Sequence, residues 1–197
     1  MSKELDWELL DRQVDQSAGL MLFEKRVDRL RNPRNQKVFD RIILESVDWV
    51  NVVALDAEGR SVMIRQYRFG VGYTTLETPG GMVDPGEDSY AAARRELLEE
   101  TGYVSDHWEY LGAVEPNPAI HNHLCHHWLA KDVYQTADQD LGEGEQIKIE
   151  LMNVEAVRAA VQSGELKHAL ALSALARVIP LWPMPFVQSY TQSTDRS

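Results

Sequence analysis

Alternating hydrophobic and polar residues predict β-strands along much of the chain. Successive side chains of a strand point to opposite faces of a sheet, so a half-buried strand carries an apolar residue at every second position. This pattern predicts strands over residues 19–27, 38–44, 49–55, 61–67, 108–114, 124–133 and 146–152. The polar stretch 56–59 predicts a turn that joins the strands on either side of it in a hairpin.

Helical spacing of apolar residues predicts three helices. The first covers 87–101, follows turns at 78–81 and 84–86 and stops at Gly102, while the others cover 154–162 and 168–178 with Gly164 between them. Prolines and polar residues after position 179 predict an irregular tail. We expect a β extension over 1–45, one main domain over 46–180 and a C-terminal tail over 181–197.

Charge and composition exclude several classes of protein. The 20 basic and 31 acidic side chains give a net charge of -11, which disfavours a nucleic-acid polymer as partner. A small anionic substrate remains compatible, because a bound divalent cation reverses the local potential.

We expect no membrane association, since no apolar run reaches the ~20 residues that span a bilayer. The single cysteine, Cys125, and an N-terminus without a secretory pattern predict a cytoplasmic protein.

The first predicted helix concentrates carboxylates on one flank. Glu96, Glu99 and Glu100 occupy positions i, i+3 and i+4, which places their Cβ atoms roughly 5–6 Å apart. Like charges so close repel, and Mg²⁺ would relieve this repulsion because it prefers carboxylate oxygens. The simpler alternative is a solvated acidic face. The preceding Gly80 and Gly81 favour the metal site, because glycines allow the backbone to approach an ion or a phosphate.

The same segment resembles the Nudix box in every spaced position but the last. The matching residues are Gly81, Glu87, Arg95, Glu96, Leu97, Glu99, Glu100 and Gly102, whereas Tyr103 stands where the pattern has an aliphatic residue. The resemblance implies an α/β class fold, the Nudix α/β/α sandwich around a mixed β-sheet, here with an N-terminal β extension.

The resemblance also implies roles for the residues of the box. Glu96 and Glu100 would bind Mg²⁺, with Mn²⁺ as a substitute, and Glu99 would bind an additional ion. Gly80 would offer its carbonyl oxygen to a metal. Arg95, grouped with Glu99 among the catalytic residues, would orient the helix together with Glu87 through ion pairs.

Features outside the box resemble the ADP-ribose pyrophosphatase branch and its nucleoside diphosphate sugar relatives. Pro118 lies sixteen positions after Gly102, as the proline marker of that branch does. Glu143 would be the catalytic base and Glu145 a further metal ligand, the alternative being an acidic surface loop. The substrate-binding residues would be Arg68, Arg65 and Asn117, with a surface role as the alternative for the arginines.

The N-terminal extension resembles strands that build a homodimer in this branch. We also expect one aromatic residue to stack on the nucleobase, with Phe23, Phe39 and Trp49 as candidates. A group of histidines suggests two further alternatives, a zinc site or substrate contact through His121 or His123. The zinc site is disfavoured because strand alternation would send His126 and His127 to opposite faces.

Together these features predict a Mg²⁺-dependent hydrolase that cleaves the pyrophosphate bond of nucleoside diphosphate sugars. ADP-ribose is the first candidate substrate, GDP-mannose and other nucleotide sugars remain open, and the products would be a nucleoside monophosphate and a sugar phosphate. The alternative enzyme would hydrolyse modified nucleoside triphosphates or dinucleoside polyphosphates. A catalytically silent nucleotide-binding regulator is disfavoured because the box carboxylates are all present.

Overall fold

Two β-sheets organise the part of the chain that the computed structural model describes, residues 8–15 and 22–182. The smaller sheet is antiparallel, with the order β1-β2-β3, and its strands are Glu8–Asp15, Glu24–Arg31 and Val38–Glu45. The larger sheet has the order β10-β5-β4-β9-β7, with β6 paired to β5 and β8 paired to β9. Its strands are β4 Trp49–Asp56, β5 Ser61–Arg68, β6 Tyr73–Glu77, β7 Tyr103–Val104, β8 His107–Val114, β9 Cys125–Gln135 and β10 Ile147–Met152.

The larger sheet is mixed and has helices on both faces. Strands β4 and β9 are parallel and the other pairs are antiparallel. Helix α1 (Ser89–Thr101) packs on one face and helices α2 (Val154–Ser163) and α3 (Ala169–Leu175) pack on the other. Neighbouring β4 residues show the division, because Val52 lies in the α1 core and Val53 in the α2 and α3 core. The predicted α/β/α arrangement around a mixed sheet is confirmed.

Local capping sets the limits of α1. The side chain of Asp88 accepts a hydrogen bond of 2.8 Å from the Ala91 amide, so the helix begins at Ser89 rather than at the predicted residue 87. It ends at Gly102, whose φ of 72° suits glycine. A methyl group at Gly102 would also overlap the carbonyl oxygen of Ala137.

Most predicted elements are present, and the differences have local causes. The strands β6 and β7 were not predicted, because their short stretches lack a clear alternation, and β1 lies within the expected β extension over 1–45 but was given no bounds. Helix α3 is shorter than the predicted 168–178, and Leu181, which was assigned to the tail, is buried in the core beside α3. The remaining tail, 183–197, and residues 19–21 of the first predicted strand lie outside the described residues.

Short contacts join the smaller sheet to the larger one. The Leu44 amide donates to the Ile120 carbonyl oxygen at 2.7 Å, and the Asn122 side chain accepts from the Ser46 amide. The ring of Phe23 meets Trp49 edge-on, with 6.2 Å between centroids. Among residues 8–15 and 22–182, no helix has the length and apolar character needed to cross a membrane.

Candidate active site

A cavity of about 740 Å³ lies between the start of β4, the end of β5, strand β6, the loop before α1 and the segment before α3. Its wall carries four carboxylates, a histidine and two basic side chains. These groups are Glu77, Glu96, Glu100, Glu145, His168, Arg68 and Lys167. Apolar residues such as Val71 and Leu170 complete the wall, so the cavity combines charged groups with an apolar surface, as ligand sites commonly do.

Two glutamates of α1 place carboxylates in this cavity, Glu100 buried and Glu96 with its side chain 14% exposed. Glu100 is only 5% exposed and accepts a hydrogen bond of 2.8 Å from the Gly80 amide. Burial raises the pKa of Glu100 to about 8, with a smaller contribution from the charge of Glu96. Burial also raises the pKa of Glu96, although Arg95 acts in the opposite direction. Buried carboxylates of this kind are stabilised as anions when a cation lies next to them.

The loop before α1 fits closely against these carboxylates. The carbonyl oxygens of Pro79 and Gly81 accept hydrogen bonds of 2.8 Å from β4, which fixes the loop to the sheet. A methyl group at Gly80 would overlap the backbone of β4 at Val50, and one at Gly81 would overlap the carboxylate of Glu96. Both glycines are therefore required by close approach.

Arg95 ties α1 to this loop through its guanidinium group. One terminal nitrogen donates to Glu96 at 2.8 Å and to Glu99 at 3.1 Å. The other donates to Glu87 at 3.0 Å and to the Met82 carbonyl oxygen at 2.9 Å. Hydrogen bonding, first of all to Glu87, raises the pKa of Arg95, so this cation is permanent. The pairing of Arg95 with Glu87 agrees with the arrangement expected from the box.

The three predicted metal ligands on α1 are not gathered at one point. Glu99 is 41% exposed and does not line the cavity, whereas Glu96 and Glu100 do. The physical reason is that Arg95 lies between Glu96 and Glu99 while Glu100 turns to the Gly80 amide. Within the described part of the chain, no three acidic, histidine or cysteine residues are arranged to share an ion. Of the three predicted ligands on α1, Glu96 and Glu100 therefore face the cavity in this structure, and the role of Glu99 stays a prediction.

The residues present nevertheless fit a hard divalent cation. Glu96, Glu100 and Glu145 supply three carboxylates to one cavity, and the charge of Glu145 contributes to the raised pKa of both others. Oxygen donors of this kind are those that Mg²⁺ and Mn²⁺ prefer.

Arg68 lines the cavity but is held by a carboxylate. Its guanidinium donates to both oxygens of Glu77, at 2.8 and 2.7 Å. Burial works to raise the pKa of Glu77, but the hydrogen bonds and charge of Arg68 outweigh it and the pKa lies below its ordinary value. The Thr75 hydroxyl also donates to Glu77. Any contact of Arg68 with a phosphate would therefore share the guanidinium with Glu77.

The other predicted substrate-binding residues lie away from the cavity wall. Arg65 points to the other side of β5, where it pairs with Glu150 at 2.9 Å and with Glu165. Asn117 is exposed in the loop between β8 and β9, near Pro118, and its carbonyl oxygen accepts the amides of residues 120 and 121. This placement does not support direct substrate contact by Arg65 or Asn117.

The loop between β9 and β10 brings one of its two predicted carboxylates to the cavity. Glu145 lines the wall and accepts a hydrogen bond of 3.1 Å from the Gly142 amide. Glu143 is exposed and does not line it. In this arrangement only Glu145 has the position expected of a catalytic loop residue.

Among the aromatic candidates, Trp49 lines the cavity and Phe23 packs behind it. Phe39 lies beneath the Arg41 guanidinium in the smaller sheet and is absent from the wall. His121 and His123 stack on each other at 5.1 Å and contact the rings of Phe23 and Trp49. They are neighbours of the cavity rather than part of its wall.

The other two histidines lie on opposite faces of β9, as alternation requires. His126 bonds to Asp48 at 3.1 Å and to the Tyr110 hydroxyl at 2.9 Å. His127 is fully buried on the other face. The two rings therefore cannot point at one ion.

Sequence reasoning missed several residues of the wall, notably Glu77, Tyr73, Lys167 and His168. Glu77 and Tyr73 belong to the unpredicted strand β6, and pairing of β6 with β5 brings Glu77 to Arg68. His168 caps α3 by accepting the Ala171 amide, and its other ring nitrogen lies 3.6 Å from Glu77. Only His168, the first residue of the third predicted helix, could have drawn attention to this region.

A family model described as the NUDIX domain matches residues 47–172, well over half of the chain. The chain belongs to the Nudix family. The matched range contains both α1 and the sheet that forms the cavity, so the site lies within the Nudix domain.

Relatives of this Nudix chain include two proteins named ADP-ribose pyrophosphatase. The Bacillus subtilis (strain 168) protein is 29% identical over 136 residues, which is 68% of this chain and 74% of the relative. The Mycobacterium tuberculosis protein is 30% identical over 128 residues, 64% of this chain and 60% of the relative. The expected kinship with the ADP-ribose pyrophosphatase branch of Nudix hydrolases is confirmed.

A solved structure supports the Nudix fold over nearly the whole chain. The crystal structure of an ADP compounds hydrolase matches with a TM-score of 0.75 and 24% identity, covering 90% of this chain and 95% of that one. At this identity the likeness concerns the fold alone. It includes residues beyond 47–172, so the shared architecture extends past the domain that the family model covers.

Proposed function

We propose that this Nudix enzyme hydrolyses the pyrophosphate bond of nucleoside diphosphate sugars, with ADP-ribose as the first candidate. The observation that carries the proposal is the pair of buried Glu100 and half-buried Glu96 beside the Gly80 and Gly81 loop, in a cavity of about 740 Å³. The names of the two bacterial relatives support the choice of substrate. The products are a nucleoside monophosphate and a sugar phosphate.

The cavity carboxylates are the residues that would hold the metal. Glu96, Glu100 and Glu145 would hold Mg²⁺, or Mn²⁺ in its place, with the Gly80 carbonyl oxygen as a further donor and Glu99 as a ligand for an additional ion. A bound divalent cation neutralises diphosphate charge and lowers the pKa of a coordinated water.

Other side chains of the site position the reacting groups. Arg95 keeps α1 and the preceding loop in register through its four hydrogen-bonded partners. Arg68, fixed by Glu77, presents a guanidinium to phosphate oxygens. Glu145 lines the cavity and would hold the metal, whereas Glu143 would take its predicted role as the base if the loop turns inward on binding.

A homodimer and a cytoplasmic location also belong to this proposal. The smaller sheet carries exposed apolar side chains, including Val38 and Ile42, which a second copy would cover. Cys125 is buried and unpaired, as in proteins of reducing compartments.

A panel of nucleotide sugars assayed with Mg²⁺, with products separated by chromatography, tests the activity. We expect a nucleoside monophosphate and a sugar phosphate, and Glu100→Gln should lower kcat at least about 100-fold because it removes a ligand charge. Glu109→Gln, on the exposed part of β8, is the control and should keep the wild-type rate. An unimpaired, folded Glu100→Gln enzyme would refute the proposed role of the Glu96 and Glu100 pair.

The same assay separates the alternative substrates and the two loop carboxylates. Release of pyrophosphate or of a nucleoside triphosphate would identify the nucleoside triphosphate or dinucleoside polyphosphate activity instead. We expect Glu145→Gln to lower kcat more than Glu143→Gln, because only Glu145 lines the cavity. The reverse order would support Glu143 as the base.

A further inference from the structure

The cavity contains a cation that the proposed reaction leaves without a role. Lys167 lines the wall in the segment before α3, and its ammonium nitrogen lies 4.9 Å from the centre of the Tyr73 ring. Within residues 8–15 and 22–182, no carboxylate lies within ion-pair distance of Lys167. The other cavity cation, Arg68, is already held by Glu77.

Lys167 is exposed, and the acidic residue two positions before it does not take up its charge. The chain has 31 acidic against 20 basic residues, and nearby Glu165 pairs with Arg65 instead. A lysine that lines a ligand cavity and has no carboxylate within ion-pair distance can bind an anionic group of a ligand. Its position over Tyr73 also covers one face of that ring, which keeps a nucleobase from stacking there.

The neighbouring His168 adds a donor to the same wall but no charge. Its Nδ1 accepts the Ala171 amide, so the ring proton is on Nε2, which lies 3.6 Å from Glu77. Burial lowers the pKa of His168, which keeps the ring neutral. Lys167 is therefore the group that can select a ligand by charge in this part of the cavity.

We propose that Lys167 binds an anionic substituent on the non-nucleoside half of the substrate, so that the preferred nucleotide sugars are sugar acids or sugar phosphates. This inference rests on the proposed function, because it takes the diphosphate to lie at Glu96 and Glu100. A carboxylate and a phosphomonoester share the chemistry that Lys167 recognises. Neutral sugars would occupy the same space without an ion pair.

Matched pairs of ligands test the inference by calorimetry without divalent metal, where binding does not depend on turnover. UDP-glucuronate and UDP-glucose differ in one carboxylate, and ADP-ribose with or without a phosphate on its terminal ribose differs in one phosphomonoester. We expect the wild-type protein to bind the anionic member of at least one pair on the order of tenfold more tightly. The pair that shows this preference identifies the substituent.

Variants of Lys167 attribute the preference to this side chain. Lys167→Gln should abolish the preference while leaving the neutral ligand's Kd unchanged, and Lys167→Arg should retain much of it. Lys131→Gln, which removes an exposed lysine paired with Glu109, is the charge-matched control and should keep the wild-type ratio.

Two results would overturn the inference. The first is that the wild-type protein binds both members of each ligand pair with equal affinity, or binds neither. The second is that Lys167→Gln keeps the wild-type preference for the anionic member. Neither depends on turnover, whereas the proposed function fails if no nucleotide sugar is hydrolysed with Mg²⁺. The two failures are therefore distinguishable.

Discussion

His127 is a fully buried histidine, and neither ring nitrogen has a hydrogen-bond partner in the described part of the chain. Burial, aided by the charge of Arg177, lowers its pKa from 6.5 to about 4. The unfolded chain takes up a proton near pH 6.5, but the folded protein does so only near its lower pKa. The free energy of unfolding should therefore fall as pH falls between these values and be unaffected by this group above them.

From pH 7 to pH 5, we expect His127 alone to remove about 2 kcal/mol from the free energy of unfolding. Urea unfolding of wild type and His127→Leu at both pH values measures this difference. The variant should lose less stability on acidification than the wild type, and His107→Leu, which alters an exposed histidine, should behave like the wild type. Parallel losses in wild type and His127→Leu would show that the buried ring does not resist protonation.

In the loop before α1, the adjacent glycines Gly80 and Gly81 approach different neighbours, the β4 backbone and the Glu96 side chain. Gly80→Ala would press a methyl group into the β4 backbone, which cannot move without disturbing the sheet, so we expect a loss of about 1–3 kcal/mol in stability. Gly81→Ala would meet only the end of the Glu96 side chain, which can rotate away. We therefore expect Gly81→Ala to keep its stability but lose turnover.

Urea unfolding and the nucleotide-sugar assay, applied to both variants, separate these effects. Gly70→Ala is the control for stability, since no atom lies within 4 Å of the added methyl group. A Gly80→Ala protein as stable as wild type, or a fully active Gly81→Ala protein, would contradict this account of the loop.

The parts of the site that are continuous in sequence could be predicted, and those assembled by strand pairing could not. Glu96 and Glu100 share a helix with Arg95, so fixed helical spacing places them together. Glu77 contacts Arg68 only because β6 pairs with β5. The sequence of β6 has no clear alternating pattern, so this pairing could not be predicted. Arg65 lies three residues from Arg68 on β5, so strand alternation sends it to the opposite face, where it pairs with Glu150 and Glu165.

For the whole molecule, the smaller sheet has more apolar surface than its contacts with the larger sheet cover. Val38 is 46% exposed and Ile42 is 57% exposed, and both lie on the same face of β3 because they are four residues apart. A three-stranded sheet with an open apolar face gains stability from a partner. A second copy of this chain would satisfy that requirement, as the proposed homodimer predicts.

Light scattering coupled to gel filtration tests this assembly. We expect the wild-type protein at twice the chain mass of 22.4 kDa and Ile42→Glu at the single-chain mass, because a charge buried at an apolar interface is costly. Leu151→Glu, which changes an exposed leucine on β10, should remain dimeric. A monomeric wild-type protein would exclude the homodimer. A dimeric Ile42→Glu would instead place the interface away from Ile42.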